Sequence, residues 1–313
     1  MPSKRTLGAP PKPDETAPKA SWEHIELWRA VRKAVYTLPS RFESDLVISG
    51  VLATDLFAFN SSLGATIEEQ VVVSLNKLRS IWDPEQKYAL YIFERQPQTF
   101  PDVVLKASAP DAEPKSIMGI ELKGWYILAK EREPSFRYKV TPAVCAPSDI
   151  LVVVPWALSN VVSGSPRVFE PFVIGAKYAA EYRNWYWEHG KGGKGDNAIT
   201  LSTATTYYPA KSEMISDRPI SDRGGNFGRL ARAGVMDKYI SDLFEQKLAG
   251  IPLSAWQRFL SLFTERRSSE DLARDVDRMA AALARSADPS LNEEDRQALQ
   301  ARFREISEII GGA

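Results

Sequence analysis

The chain has 313 residues, 40 of them basic and 40 acidic, and 44% of its residues are hydrophobic against 26% charged. This is the composition of a soluble globular protein, long enough for one large domain or two modest ones; zero formal net charge excludes a uniformly basic nucleic-acid coat but leaves room for a local basic cleft. A single cysteine, Cys145, excludes an internal disulfide and a cysteine-built zinc site and points to a reducing, cytoplasmic setting, and no apolar run reaches the length of a membrane span.

Residues 1–20, "MPSKRTLGAPPKPDETAPKA", are rich in proline and charge and lack the apolar core of a secretory signal, which predicts a disordered tail. "SWEHIELWRAVRKAVYTL" has helical spacing, with Ser21 as N-cap and Pro39 as stop, and His24 within it reads as a packed or solvated helix residue. "DLVISGVLATDLFAFNSSLG" is apolar and open between helix and strand. "ATIEEQVVVSLNKLRSIWDP" reads as a helix, with Thr66 and Glu69 in a capping-box arrangement and Pro84 at its far end.

Three strands are predicted next, over 88–96, 102–108 and 117–128, the last two joined by the turn-rich "APDAEPK". A fourth, "DILVVVPWAL" at 149–158, is apolar enough to be central, and the proline-broken stretch 129–148 is unsuited to a long helix. "EPFVIGAKYAAEYRNWYWEHG" predicts a helix with Pro171 near its start and Gly190 at its end, its aromatic run Tyr182–Trp187 packed on the sheet. "KGGKGDN" is a basic glycine loop, and 198–233 is irregular. From about 235 onward the chain reads as helical, with apolar stripes at Leu272, Val276, Met279 and Leu283 and at Leu299, Phe303, Ile306 and Ile310, suited to packing or to pairing across a two-fold axis.

The chemistry lies in "MGIELKGWYIL", residues 118–128. A strand turns alternate residues to one face, so Glu121 and Lys123 project together, and a carboxylate and an ammonium on a largely buried strand must pair or serve chemistry. The second strand begins "FPDVVL", and a hairpin brings Asp102 to the same end of the sheet. Two adjacent carboxylates suit Mg2+ rather than zinc, and a lysine beside them suits a developing phosphorane and an attacking water.

Pro101-Asp102 followed by Glu121-Leu122-Lys123 resembles the PD-(D/E)XK nucleases, the superfamily that holds most type II restriction endonucleases. The order helix, three meandering strands, helix, strand is similar to its common core over roughly residues 65–190. The resemblance implies an α/β fold with a mixed central β-sheet flanked by helices, a restriction-endonuclease-like core over residues 21–235, and a helical C-terminal region over 236–313. It implies sequence-specific, Mg2+-dependent hydrolysis of double-stranded DNA by a homodimer. Asp102 and Glu121 would ligate metal, and Lys123 would hold the water and help deprotonate it. A helical acidic residue would complete the shell, Glu68 being favoured because the capping box occupies Glu69 and because Glu68 shares a face with Val71, Val72 and Leu75. One departure is that the helix between the third and fourth strands must be very short, around "TPAVC", or be replaced by the helix after the fourth strand.

DNA contacts are expected from Lys130, Arg132, Arg137 and Lys139, which follow the catalytic strand, and from "SDRGGNFGRLARAG"; Lys191 and Lys194 of "KGGKG" could approach phosphates, but a surface loop is the favoured reading there. In the last, Gly224 and Gly225 permit unusual backbone angles and Arg223, Asn226, Arg229 and Arg232 suit phosphates or base edges. The phosphate-loop ending of lysine followed by serine or threonine is missing, so no nucleotide cofactor is expected. The rivals are a nuclease of the same core in repair or phage defence, a non-catalytic DNA-binding protein on a nuclease fold and, less favoured, a glycosidase using the two carboxylates.

Overall fold

The computed structural model describes residues 10–50, 53–96, 98–109, 113–129, 131–192, 196–222, 226–263, 269–286, 297, 301 and 303–305. Its centre is the apolar run ILVVVPWAL, which forms β4 (Ile150–Leu158) and is buried at every position. Along one side β4 runs parallel to β3 (Ser116–Tyr126), and antiparallel β2 (Val103–Ala107) and β1 (Tyr91–Arg95) extend the sheet beyond it. Along the other side two short antiparallel strands share β4: β6 (Phe172–Gly175) pairs with Ile150–Val153, and β5 (Pro166–Val168) pairs with Trp156–Leu158. Pro155, which has no N–H for a ladder, falls at the changeover between β6 and β5, where its carbonyl accepts the Phe169 N–H. The result is a mixed, mostly antiparallel central sheet flanked by helices.

Among the described residues four helices precede the sheet: α1 (Ile25–Tyr36), α2 (Leu38–Arg41), α3 (Ala53–Lys77) and α4 (Arg79–Trp82). Helix α3 lays Ile67, Val71 and Leu75 on the sheet, all fully buried. It makes residues 53–64 of the open segment helical, while Ile48 forms an isolated bridge with Gly164, and it overturns the capping box: Thr66 lies well inside a 25-residue helix instead of at its start. A short apolar run carries no decisive period, and Gly64 did not break the helix because it has a packing role described below. Ser21 does not cap α1 either; His24 stands at that position without a side-chain cap, its Nδ1 paired with the Tyr88 hydroxyl at 3.0 Å.

On the opposite face α5 (Ala176–Trp185) sets Ala176, Ala179 and Ala180 against Leu151 and Ile174. The helix expected from Pro171 therefore starts later, since Phe172–Gly175 is recruited as a sheet strand. Between β3 and β4 there is a single 3-10 turn, Pro142–Val144, the very short helix expected around "TPAVC".

Residues 10–20 do not form the disordered tail expected for 1–20. The Pro10 carbonyl accepts the Trp185 indole N–H at 2.8 Å, Lys12 lies 4.7 Å from the Tyr182 ring centroid, and Glu15 accepts the Gly175 N–H at 2.8 Å. A proline-rich strand needs no partner ladder when a helix offers aromatic faces and free donors. Residues 1–9 lie outside the described residues.

The stretch expected to be irregular contains a two-stranded ribbon, β7 (Ile199–Thr200) with β8 (Arg218–Pro219). Beyond it come α6 (Asp237–Phe244), a tight hairpin of β9 (Lys247–Leu248) and β10 (Ile251–Pro252), α7 (Leu253–Ser261) and α8 (Ser269–Ser286). The helix expected over "MDKYISDLFEQKLAG" thus ends early, where Ala249 and Gly250, both with positive φ, make a two-residue hairpin turn. Val276, Met279 and Phe303 join the same apolar core as the sheet, so the C-terminal region packs on the core; Leu272, Leu283, Leu299, Ile306 and Ile310 lie outside the residues whose side chains are described. Among the described residues no helix is long and apolar enough to cross a membrane.

Asp149, at the entry to β4, is 1% exposed and accepts the N–H groups of Gly119 and Ala146, each at 2.7 Å, and the Tyr208 hydroxyl at 3.3 Å. Burial pushes its carboxyl up to about 6, against the partial compensation of these donors. A carboxyl raised on folding favours the folded state below its unfolded pKa and loses that contribution as pH rises through the folded value. Between pH 4 and 6 the unfolding free energy of Asp149→Asn should therefore fall less with pH than that of the wild type, by about 2 kcal/mol over the window. Parallel pH profiles from urea titrations would expose an error in this assignment.

Candidate active site

Strand β3 outruns its neighbour. Its pairing with β2 ends at Ile120–Val103, while its pairing with β4 continues to Tyr126. Past Ile120 the N–H groups facing the β2 side have no strand to bond, and buried backbone donors must find acceptors. Two carboxylates supply them. Asp102 Oδ2 accepts the Leu122 N–H at 3.0 Å, and Glu68 Oε1 accepts the Gly124 N–H at 3.2 Å.

The sequence places both acids there by glycine contacts. Gly119 leaves the space that the Pro101 ring fills, for a Cβ at Gly119 would lie 2.2 Å from Pro101 Cγ; this seats Asp102 against β3. Gly124 meets Gly64 of α3, with a Cβ at Gly124 falling 3.2 Å from Gly64 Cα, and Glu68 stands four residues further along the same helical face. Gly124→Val should push α3 outward, withdraw Glu68 from the strand edge and cost about 1–3 kcal/mol by overpacking. A denaturation midpoint equal to that of the wild type would contradict this close packing.

Lys123 closes the constellation. Its Nζ lies 2.7 Å from Glu121 Oε1 and 3.0 Å from Asp102 Oδ2, and the Asp102 N–H reaches Glu121 Oε2 at 3.3 Å. The three expected catalytic residues and the favoured helical acid, Glu68, are thus gathered at one place. The site is recessed but not sealed: the side chain of Glu121 is 9% exposed, those of Lys123 and Asp102 21% and 28%.

Burial raises the Glu121 carboxyl above the usual carboxylate range; the Lys123 ammonium pulls it back and the Asp102 charge pushes it further up. For Lys123 burial works downward, but the charges of Glu121 and Asp102 outweigh it and hold the pKa above the normal lysine value. Glu68 is raised by burial, with Lys123 opposing. Lys123 is therefore an ammonium in this arrangement. As such it can donate hydrogen bonds and offset negative charge.

The donor set fits Mg2+. Asp102 and Glu121 offer hard oxygens, and Lys123 Nζ lies where a cation offsets both carboxylates. Among the described residues no group of three or more His, Cys, Asp and Glu side chains is gathered tightly enough to hold a metal; Asp102 and Glu121 are the two carboxylates here that could share one.

Glu121 forms part of the wall of a cavity of about 220 Å3 that also involves Gln98, Thr99, Phe100, Val140 and Lys211. Gln98, Thr99 and Lys211 were not found from the sequence, because nothing in their local pattern says that the 96–100 turn and the 207–215 loop meet over β3. That loop is tied down by the Thr141 N–H to the Ile215 carbonyl at 2.8 Å and by the Arg183–Asp217 ion pair at 2.5 Å.

The expected DNA contacts divide. Arg137 is exposed and Lys139 half-buried on the stretch that leads to Val140 at the cavity. Arg132 donates to Gln257 of α7 at 2.7 Å. Arg229 and Arg232 both pair with Glu131, at 3.5 and 3.9 Å; Arg232 also reaches Glu133 and the Asn226 side chain. Acids at Glu131 and Glu133 thus lie beside the arginines expected to contact phosphates. Arg223, Gly224, Gly225, Lys130 and Lys194 lie outside the described residues.

Comparisons with family models, with curated proteins and with solved structures each returned no match.

Proposed function

We propose that this protein is a Mg2+-dependent endonuclease that hydrolyses phosphodiester bonds of double-stranded DNA, of type II restriction type. The observation that carries the reading is the convergence of Glu68, Asp102, Glu121 and Lys123 from α3, the head of β2 and β3, with Lys123 held 2.7 and 3.0 Å from the two carboxylates. The finer reading of the fold, a restriction-endonuclease-like core, belongs to the same proposal; the order α3, β1–β2–β3 meander, one 3-10 turn and parallel β4 supports it.

Bound Mg2+ would supply charge neutralisation at a non-bridging phosphate oxygen and a more acidic water. Asp102 and Glu121 would hold it, and the strand-edge Leu122 N–H bond to Asp102 fixes that carboxylate before substrate arrives. Lys123, protonated, donates to the water and to the phosphorane oxygens as charge builds there. Glu68, raised by burial and fixed on the Gly124 N–H, stands ready to accept a proton from that water. The two-strand cut at a symmetric site calls for two copies of this centre, hence a homodimer. Arg137, Lys139 and Lys211 are the candidates for phosphate contact.

Incubation with mixed-sequence plasmid in Mg2+ and in EDTA, followed by sequencing of the fragment ends, tests the reading. Discrete fragments with a common end sequence are expected in Mg2+ and none in EDTA. A smear would favour a defence or repair nuclease, and DNA binding without strand breaks would remove catalysis from the proposal.

A further inference from the structure

A second concavity, of about 330 Å3, opens at the other end of β3, between the N-terminal segment and the 207–208 turn. It is lined by Trp22, Tyr207 and Tyr208, with Lys19 at one edge and Ser116 and Ser148 among the wall residues. Its floor is rigid: the Ser148 hydroxyl donates to the Ile117 carbonyl at 3.2 Å, and the Ser148 carbonyl accepts the Trp28 indole N–H at 3.0 Å. Tyr208 is held by its hydroxyl on Asp149 and adopts a left-handed backbone, φ 53°, a strained conformation for a tyrosine that turns the chain between the two aromatic rings. Tyr207, by contrast, is 49% exposed, a large aromatic side chain left open to solvent.

Aromatic rings that line an open cleft bind planar π-systems by stacking, and an ammonium at the edge selects those that carry an anion. A volume near 300 Å3 suits a small ligand rather than a duplex. We infer that the cleft between Trp22, Tyr207 and Tyr208 binds an unpaired nucleobase by stacking, with Lys19 on its phosphate. The choice of a nucleobase among planar anions rests on the nuclease reading: Ser116 and Glu121 lie on one strand, about 16 Å apart along it, within the reach of a few nucleotides. The base comes either from a free mononucleotide or from an unpaired position of a DNA strand.

Calorimetric titration of the full chain in EDTA, where no cleavage occurs, separates the sources. One arm uses AMP and the other a single-stranded pentadeoxynucleotide, each against wild type, Trp22→Ala, Tyr207→Ala and Lys19→Ala. Tyr207 is half in solvent, so its truncation leaves the fold intact and keeps the test meaningful should Trp22→Ala fail to fold. Saturable binding weakened roughly 10-fold by Tyr207→Ala is the expected result; Lys19→Ala should flatten the salt dependence. Response to AMP identifies a free-nucleotide site, and response to the oligonucleotide without AMP identifies a strand site. Absence of binding by both probes, or binding that Tyr207→Ala leaves unchanged, overturns the inference. Should stacking hold while wild-type protein cuts no DNA in Mg2+, the nuclease reading fails and the cleft stands; the reverse pattern removes the cleft alone.

Discussion

Lys123→Ala is expected to slow DNA cleavage by about 10²–10³-fold, the usual cost of removing a donor aimed at charge that develops in the transition state. Rates of supercoiled-plasmid nicking in saturating Mg2+ measure this. The substitution also leaves Asp102 and Glu121 without the ammonium that now bridges them at 3.0 and 2.7 Å. Their repulsion then favours protonation of Glu121, which burial already pushes in that direction. Cleavage by the variant should consequently recover in part as pH rises, because Glu121 must be ionised to hold metal. A Lys123→Ala protein that cuts at the wild-type rate would take this residue out of the chemistry.

Asp217→Ala is expected to be the most damaging single change to stability, at about 3–5 kcal/mol. Arg183 and Asp217 are 2% and 0% exposed, and their ion pair is 2.5 Å long. Arg183 also donates to the carbonyls of Tyr138 and Val140, each at 2.9 Å, while Asp217 accepts the Ser202 N–H at 2.9 Å and the Asn184 amide at 3.1 Å. Removing the carboxylate strands a buried guanidinium and leaves those donors unmet. The damage reaches the site because this network pins the 134–140 stretch and the 207–217 loop, which together wall the cavity beside Glu121. Denaturant titration checks the magnitude, and the doubly apolar Arg183→Met, Asp217→Leu protein should recover much of the loss. Equal midpoints for Asp217→Ala and wild type would mean that the pair is not buried as described.

The legible parts of this fold were those written in strand patterning. The continuous apolar run of β4 announces a central strand, and the alternation in β3 predicts that Glu121 and Lys123 share a face, which their 2.7 Å contact bears out. Of the two grounds for Glu68 over Glu69, the capping box fails because Thr66 lies inside α3, whereas the face shared with Val71, Val72 and Leu75 is buried as expected; the Gly64–Gly124 contact fixes the turn of α3 that faces β3. What was not legible is long-range. The closure of the 207–217 loop over the site depends on Arg183 and Asp217, separated by 34 positions in sequence. The pairing of Arg229 and Arg232 with Glu131 joins residues about a hundred positions apart. Proline content made residues 10–20 look unstructured, yet the partners that order them, Trp185, Tyr182 and Gly175, are supplied by α5 and the strand before it.

The central claim is that the lysine-bridged carboxylates open to take a divalent ion. A crystal of the protein soaked in Mn2+, a hard ion that takes the place of Mg2+ and scatters anomalously, tests it most directly. The account predicts an anomalous peak in bonding contact with Asp102 and Glu121 oxygens, with Lys123 Nζ displaced from between them. Lys123 still bridging both carboxylates, with manganese bound elsewhere or nowhere, would contradict it.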